Sequence, residues 1–252
     1  MSGEPLLQAK GLSKRFGGVR AVHEVSFSVP EHSIFALIGP NGAGKSTLLN
    51  LLSGIYQPDA GSLQLGGESL VGLPAHRRVR LGIARTFQKI RLFKQLSVLE
   101  NVLAGFHIRH DEPLWKHFVR RGTARFRDEA ASLLEFVGLA ARAGERAGAL
   151  SYGQQRMLEI ARALATRPRL FMLDEPAAGL NGAEVEFLVQ RLERIGKQGT
   201  TVVVVEHNMD LVMNVAQRVF VMDYGQPLFE GTPREAQSNP GVIAAYLGGE
   251  FG

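Results

Sequence analysis

Runs of apolar residues predict the strands of this chain. Val25, Phe27 and Val29 alternate with polar residues, a pattern typical of a strand with one buried face. Uninterrupted apolar runs occupy residues 34–38, 170–173, 202–205 and 219–222. Runs of this kind are typical of strands covered on both faces, as in a parallel sheet. Shorter segments at residues 62–65 and 82–87 predict an additional, antiparallel β portion.

Helical periodicity lies between these strands. Apolar residues recur at helical spacing in residues 48–55, 157–164 and 184–195. The region 98–139 has the same periodicity, and the stretch at residues 113–122 divides it into at least two helices. Near the C-terminus, a turn at Tyr224 and Gly225 is followed by a short helix at residues 233–237. The alternation of strand and helix predicts an α/β fold with a mostly parallel sheet.

Composition supports a globular chain. Of the 252 residues, 45% are apolar, 21% are charged and 29 are glycine, which excludes a disordered, fibrous or coiled-coil protein. No apolar stretch approaches the roughly 18 residues of a spanning helix, and the N-terminus lacks the segments of a secretory signal. We therefore expect residence in the cytosol, which the absence of cysteine fits.

The net charge of +5 raises the question of nucleic-acid binding. The excess is modest, however, and a loose basic cluster at residues 109–127 is interleaved with aromatic residues. We interpret this cluster as solvated surface, with anionic lipid headgroups or an acidic partner as alternatives. No nucleic-acid partner is expected.

Residues 39–47 read GPNGAGKST and match the pattern G-x-x-x-x-G-K-[ST] between a predicted strand and a predicted helix. Glycines let successive backbone N–H groups point at a phosphate, and the helix N-terminus adds partial positive charge. Lys45 is suited to bridge the β- and γ-phosphates of ATP, and the Ser46 hydroxyl to ligate Mg²⁺. An ordinary glycine turn is the remote alternative. The predicted nucleotide-binding residues here are Asn41, Gly42, Ala43, Gly44, Lys45, Ser46 and Thr47.

Two adjacent carboxylates end the apolar run at residues 170–173. Ligands of open α/β sheets bind at the carboxyl ends of strands, so Asp174 and Glu175 should face the phosphate loop. Asp174 suits the metal, directly or through water, and Glu175 suits the attacking water as general base. Taken alone, the pair would be an ordinary acidic strand end.

Residues 150–155 read LSYGQQ and resemble the LSGGQ signature of ATP-binding cassette ATPases, with Tyr152 replacing the first glycine. In that family two cassettes pack head to tail, and the signature of one completes the ATP site of the other. The resemblance implies that Ser151, Gly153 and Gln154 contact nucleotide held by a second cassette. Ser151 is also suited to a plain helix N-cap, which is compatible with that role.

Other family positions follow in the expected order. Gln88 resembles the glutamine loop that senses Mg²⁺ and water, and His207 resembles the switch histidine that contacts the γ-phosphate. Phe16 resembles the aromatic residue that stacks on adenine, with a core phenylalanine as the alternative. Asn181 stands where the family usually has aspartate, which bears on communication between the two sites. The resemblance implies catalysis by Lys45, Gln88, Glu175 and His207, and metal ligation by Ser46, Gln88 and Asp174.

The resemblance covers essentially the whole chain. It implies one nucleotide-binding domain over residues 1–252, with a P-loop core, an antiparallel β subdomain and a helical subdomain at about residues 89–165. The segments 176–181, 206–209 and 245–248 are similar to those of ATPase subunits of branched-chain amino acid importers. ATPases of urea or short-amide importers and of lipopolysaccharide export share parts of this pattern and remain alternatives.

The partners implied by the resemblance are a second cassette, identical or paralogous, polytopic membrane permease subunits and, indirectly, a solute-binding protein. The implied location is peripheral, on the cytoplasmic face of the cell (inner) membrane. The apolar residues expected to meet the membrane subunit near Gln88 are Phe87, Ile90, Leu92 and Phe93. A soluble cassette ATPase of DNA repair or translation is the alternative of another class, although neither a coiled-coil insertion nor a tandem cassette is present. A module that binds ATP without turnover is a third possibility.

Overall fold

The strands of this protein form two sheets. The computed structural model describes residues 5–106 and 120–248. The antiparallel sheet contains β1 (Leu7–Phe16), β2 (Val19–Val29), β4 (Ala60–Leu65) and β5 (Glu68–Ser69), in the order β2-β1-β4-β5. The larger sheet contains β3 (Ile34–Ile38), β6 (Ile83–Arg85), β7 (Leu170–Asp174), β8 (Thr201–Val205), β9 (Arg218–Asp223) and β10 (Gln226–Gly231). Its order is β10-β9-β3-β8-β7-β6, and all neighbours are parallel except β9 and β10.

The described helices pack around the larger sheet. They are α1 (Lys45–Ser53), α2 (Ala75–Arg80), α3 (Val98–Phe106), α4 (Arg120–Phe136), α5 (Tyr152–Leu164), α6 (Gly182–Lys197), α7 (Met209–Val215), α8 (Pro233–Ser238) and α9 (Pro240–Gly248). Helix α3 contacts both α4 and α5, and these three helices share one apolar core. None of the described helices has both the length and the apolar content to span a bilayer.

The central strands are buried because each of their faces meets a separate apolar core. In β8, Val202 and Val204 belong to a core shared with α5 and α6, whereas Val203 and Val205 belong to a core shared with α1 and the antiparallel sheet. Successive side chains of a strand point to opposite faces, so a strand with two cores must be apolar at every position. The parallel sheet predicted from the uninterrupted runs is confirmed.

Two local predictions were wrong. Residues 82–87 were expected in the antiparallel portion, but β6 pairs in parallel with β7, and Ile83 lies opposite Leu170. The helix that follows the phosphate loop was expected to reach Ile55, but α1 ends at Ser53 because Gly54 adopts a left-handed backbone, φ 78°. A Cβ on Gly54 would lie 2.7 Å from Arg78 Nε, so glycine is required there.

The two helices predicted within residues 98–139 are observed as α3 and α4. The intervening residues 107–119, and with them much of the basic cluster at residues 109–127, lie outside the described part of the chain. The elements without a counterpart among the sequence predictions include β1, β5, α2, α7 and α9.

Candidate nucleotide-binding site

A cavity of about 350 Å³ lies where β3 ends and α1 begins. The backbone of residues 41–47 forms one wall, and residues 19–21 form another. Glu175, after β7, and the turn at Tyr224 and Gly225, after β9, complete the lining. The carboxyl ends of three parallel strands therefore meet at this cavity, where an open α/β sheet binds its ligand.

Two glycines shape the phosphate loop. Gly44 has φ 93°, and a Cβ on it would lie 2.2 Å from the carbonyl oxygen of Ala21. Gly39 has φ 148°, and a Cβ on it would lie 2.1 Å from the carbonyl oxygen of Met222. Both positions combine a left-handed backbone with close approach of another strand, so only glycine fits without displacing a neighbour. The loop is thereby held against the rest of the sheet.

Helix α1 begins without a side-chain cap. Gly44 is its N-cap, and no side chain accepts a hydrogen bond from the first turn. The first N–H groups of a helix have no intrahelical acceptor and carry partial positive charge. Residues 45–47 therefore present free donors to the cavity, which is suited to an anion.

The ammonium group of Lys45 is folded back over the loop. Its side chain is buried, and Nζ donates to the carbonyl oxygens of Gly39 at 2.6 Å and Pro40 at 2.8 Å. Burial lowers the pKa of Lys45, while the nearby carboxylates of Glu175 and Asp174 act in the opposite direction. The cation is held by neutral acceptors at the place where phosphate charge would lie.

Asp174 is engaged by an arginine. Arg85 Nη2 lies 2.8 Å from Asp174 Oδ2, and Arg85 Nη1 donates to Asn50 Oδ1 at 2.6 Å. Ser46 is exposed and lines the cavity. The described residues contain no cluster of three metal-ligating side chains. With the Ser46 hydroxyl and the Asp174 carboxylate as its oxygens, the site fits Mg²⁺, which binds through one or two protein oxygens together with substrate phosphates.

Glu175 sits in a strained backbone conformation. Its φ is 46°, which is uncommon for a residue with a side chain, and its N–H donates to the carbonyl oxygen of Val205 at 2.9 Å. Gln88 Nε2 donates to Glu175 Oε2 at 2.8 Å, and His207 Nδ1 lies 4.0 Å from Glu175 Oε1. Three residues predicted from separate motifs thus meet at one carboxylate.

Glu206 binds the backbone on both sides of this group and was not predicted as a site residue. It is fully buried, and its Oε1 accepts from the N–H of Ala177 at 2.8 Å. Its Oε2 accepts from the N–H groups of His207 at 3.1 Å and Asn208 at 3.2 Å. One carboxylate thereby ties the loop after Glu175 to the loop of His207. The signal available in the sequence was an acid directly after four valines.

The signature residues lie away from the phosphate cavity of their own chain. Ser151 is the N-cap of α5, and it forms a capping box with Gln154. Gly153 and Gln154 line a separate cavity of about 350 Å³, beside Glu184. A Cβ on Gly153 would lie 2.2 Å from Glu184 Oε1. A single chain therefore does not bring Ser151, Gly153 or Gln154 to Lys45.

Phe16 and Asn181 take peripheral positions. Phe16 ends β1, is 43% exposed and makes an edge contact with Tyr56, with ring centroids 5.1 Å apart. It is paired with Val19, which does line the cavity. Asn181 is the N-cap of α6 and forms a capping box with Glu184. The exposed Phe16 ring argues against the core alternative. Sequence reasoning missed these cavity-lining residues: Val19, Arg20, Ala21, Tyr224 and Gly225.

Comparison with known proteins decides the family. A model of the family described as ABC transporter matches residues 22–178, more than half of the chain. The chain belongs to that family. A second model, described as branched-chain amino acid ATP-binding cassette transporter, matches residues 226–252. The predicted family is confirmed, and the cassette is an ATPase.

Curated relatives match the cassette over nearly its whole length. It is 45% identical over 254 residues to the high-affinity branched-chain amino acid transport ATP-binding protein BraF of Pseudomonas aeruginosa, covering 97% of this chain and 98% of BraF. It is 43% identical over 251 residues to the corresponding protein LivG of Escherichia coli, with the same coverage.

Solved structures confirm the fold class. The cassette matches the ADP conformation of MJ1267, an ATP-binding cassette of an ABC transporter, with a TM-score of 0.87, 32% identity and coverage of 98% of this chain and 100% of that chain. It matches a dimeric post-hydrolysis state of the cassette MJ0796 bound to ADP and phosphate, with a TM-score of 0.79, 26% identity and coverage of 90% and 99%.

Proposed function

We propose that this cassette is the ATP-hydrolysing, energy-coupling subunit of an importer for branched-chain amino acids. The observation that carries the cargo class is the sequence identity of 43–45% to BraF and LivG over 97% of the chain, together with the match of residues 226–252 to the branched-chain amino acid model. ATPases of urea, short-amide or lipopolysaccharide transporters are not favoured by any of these matches.

The phosphate loop and α1 bind the nucleotide in this proposal. N–H groups of residues 41–47 surround the phosphates, and Lys45 exchanges its carbonyl contacts for phosphate oxygens. Phe16, next to the cavity wall at Val19, stacks on the adenine. Ser46, Asp174 and Gln88 would hold Mg²⁺, which neutralises phosphate charge when bound. Asp174, whose Oδ2 is paired with Arg85, would act on the ion directly or through water.

Glu175 is the general base. Gln88 fixes one of its oxygens at 2.8 Å, which leaves the other oxygen directed toward His207 and the cavity. A carboxylate within hydrogen-bond reach of the attacking water can accept its proton as the water oxygen bonds to the γ-phosphorus. The bond from that phosphorus to the oxygen bridging to the β-phosphate breaks at the same time, and ADP is the leaving group. His207 and Lys45 then stabilise the charge on the transferred phosphoryl group. The strained backbone of Glu175 places the carboxylate in that position.

Ser151, Gly153 and Gln154 act in a second cassette. Their separation from Lys45 within one chain supports a head-to-tail dimer in which the N-terminus of α5 meets the γ-phosphate of the partner. The dimeric structure of the MJ0796 cassette bound to ADP and phosphate supports dimer formation. Pseudomonas aeruginosa has a second relative, BraG, which is 37% identical to this chain. Its presence supports a dimer of two paralogous cassettes, and a homodimer is the alternative.

The remaining assignments concern the assembly. We place one nucleotide-binding domain over residues 1–252, with helical subdomain boundaries near residues 89 and 165. Polytopic permease subunits hold the dimer at the cytoplasmic face of the inner membrane, and a solute-binding protein acts from the other side. The exposed ring of Phe93 beside Gln88 offers the permease an apolar contact.

Replacement of Glu175 by glutamine tests the chemistry. We expect kcat for ATP hydrolysis to fall by about 10²- to 10⁴-fold, because the amide cannot accept the proton, while ATP affinity stays within about threefold. ATP should then accumulate a stable dimer, measurable by gel filtration. Glu193→Gln, the same change at an exposed site on α6, is the control. Hydrolysis by Glu175→Gln at the wild-type rate would show that the base has been misassigned.

Isolation of the native complex tests the assembly. Mild detergent extraction should recover polytopic membrane subunits, and addition of a solute-binding protein loaded with a branched-chain amino acid should stimulate the ATPase. Recovery of ribosomes or DNA-repair factors instead would overturn the transport role. Stimulation by a receptor loaded with urea or a short amide would overturn the cargo class alone.

A further inference from the structure

The loop that carries Gln88 has little backbone support of its own. Before this loop, the N–H of Thr86 donates to the carbonyl oxygen of Met172. After it, the N–H of Leu96 donates to the carbonyl oxygen of Phe93. Between them, residues 87–92 make no backbone–backbone hydrogen bond to any residue that the structure describes. The position of Gln88 must therefore be set by side chains.

Helix α5 supplies those side chains. Arg156 is fully buried, and its guanidinium donates to the carbonyl oxygens of Phe87 at 2.7 Å and Gln88 at 2.8 Å. Glu159 Oε1 accepts from the N–H of Arg91 at 3.1 Å. Arg162, one turn further along α5, donates to the carbonyl oxygen of Arg91. Four backbone groups of the loop are thus bound by three side chains of a single helix.

The two buried members of this set neutralise each other. Arg156 Nη1 lies 2.8 Å from Glu159 Oε2, and the side chains are 0% and 2% exposed. Burial raises the pKa of Glu159, and the Arg91 N–H and the two arginines oppose that shift. The cost of removing both charges from water offsets most of their attraction, so the pair is weak evidence for a stabilising role. Its remaining polar atoms are directed mainly at the glutamine loop.

The same helix begins at the signature. Ser151 caps α5, and the hydroxyl of Tyr152 lies 3.3 Å from Arg156 Nη2. The ring of Tyr152 also contacts the loop after Glu175, since a Cβ on Gly179 would lie 3.1 Å from it. Tyr152, which occupies the position of the usual signature glycine, is therefore next to both that loop and Arg156.

We propose that Arg156 and Glu159 are positioning residues that fix the glutamine loop to the signature helix, so that Gln88 and α5 move as one unit. The inference rests on the roles proposed above for Gln88 and Glu175. Neither Arg156 nor Glu159 lines the nucleotide cavity, so both would act through the loop that carries Gln88.

A double-mutant cycle tests this coupling. Arg156→Met should lower kcat by about tenfold or more while the KM for ATP stays within about threefold, the pattern of a residue that acts on turnover and not on binding. In a Gln88→Ala background, Arg156→Met should add less than about threefold, because residues acting through one another are not additive. Independent effects that multiply in the double variant would overturn the proposal.

Arg78→Met is the matched control. Arg78 is also fully buried and donates to backbone carbonyls, those of Leu51, Leu52 and Leu73, but none belongs to the glutamine loop. We expect its loss to lower Tm as Arg156→Met does while leaving kcat within about twofold. An equal loss of kcat in both variants would reduce Arg156 to a structural role.

Milder variants cover the case in which Arg156→Met fails to fold. Arg156→Lys keeps the charge beside Glu159 but loses the planar fork that holds two carbonyls, so its kcat should fall below that of the wild type and its KM should be unchanged. Full wild-type kcat in Arg156→Lys would overturn the proposal. A Glu175→Gln variant that still turns over would instead contradict the proposed catalytic roles, which separates the two failures.

Discussion

The N-termini of helices α1 and α5 differ in whether a side chain caps them. Helix α1 is capped by Gly44 and leaves its first N–H groups without a side-chain partner. Helix α5 is capped by Ser151, whose hydroxyl accepts from Gln154 N–H while the Gln154 side chain accepts from Ser151 N–H. The amide oxygen of Gln154 also accepts from Arg142. One end is open to an anion, and the other has one of its first-turn N–H groups, that of Gln154, already bound within its own chain.

This difference explains a division of labour. An open N-terminus beside a buried lysine binds phosphate in an isolated chain, because both the donors and the charge are in place. A capped N-terminus has fewer free donors and gains an anion only when a partner presents one at close range. The comparison therefore predicts that ATP binding belongs to the monomer and that Ser151 matters for the dimer.

The largest effect should come from a substitution at Gly44, the N-cap of α1. Gly44→Ala places a Cβ 2.2 Å from the carbonyl oxygen of Ala21 at φ 93°. We expect about 3 kcal/mol or more of strain, and an ATP affinity lower by about 100-fold or more as the loop shifts. Calorimetric titration with ATP measures this. Gly67→Ala is the control, because Gly67 has φ 81° but open space around its Cβ. ATP affinity falling equally in both variants would break the comparison.

An intermediate effect should come from the capped end. Ser151→Ala should cost about 1 kcal/mol of stability through the lost cap and lower dimer-dependent kcat by about tenfold or more through the lost contact with phosphate. ATP affinity of the monomer should stay within about twofold. Thr232→Ala removes an equivalent capping box from α8 and should cost similar stability without changing kcat. Weakened ATP binding in monomeric Ser151→Ala would contradict the division of labour.

The smallest effect should come from Asn181→Asp. Asparagine and aspartate are equal N-caps, so stability should change by less than about 0.5 kcal/mol. A new charge near Glu184 should alter kcat by less than about threefold and should shift the Hill coefficient for ATP within its limit of about two, the number of sites in a dimer. Asn239→Asp, at the N-cap position of α9, serves as comparison. A large loss of kcat would assign Asn181 to the chemistry itself.

The sequence predicted what depends on local pattern. The parallel strands followed from uninterrupted valine and leucine runs, and the phosphate loop from glycine spacing beside Lys45. The edge position of β6 could not be predicted, because three residues carry no period and their partner β7 lies far along the chain. Helix α2, only six residues long, has the same difficulty.

Within the site, sequence reasoning predicted groups whose chemistry is specific and missed those that act through burial. Glu175 and Gln88 belong to recognisable motifs, and the structure places them 2.8 Å apart. Arg156 and Glu159 are spaced i, i+3 on a helix, where charged pairs are usually exposed. Their position on the buried face of α5, beside Met157 and Ile160, was the available sign.

The strand order of the larger sheet has a consequence for synthesis. The phosphate loop follows β3, whose neighbours are β8 and β9, so Ile34 pairs with Val202 and Phe35 with Arg218. The loop is translated early, yet the strands that hold its sheet in place emerge from the ribosome only near the end. Strands that pair over such long sequence separations form their sheet slowly, and the unfinished chain exposes apolar surface until they do. A nascent cassette therefore carries its complete ATP-binding motif long before it can bind ATP.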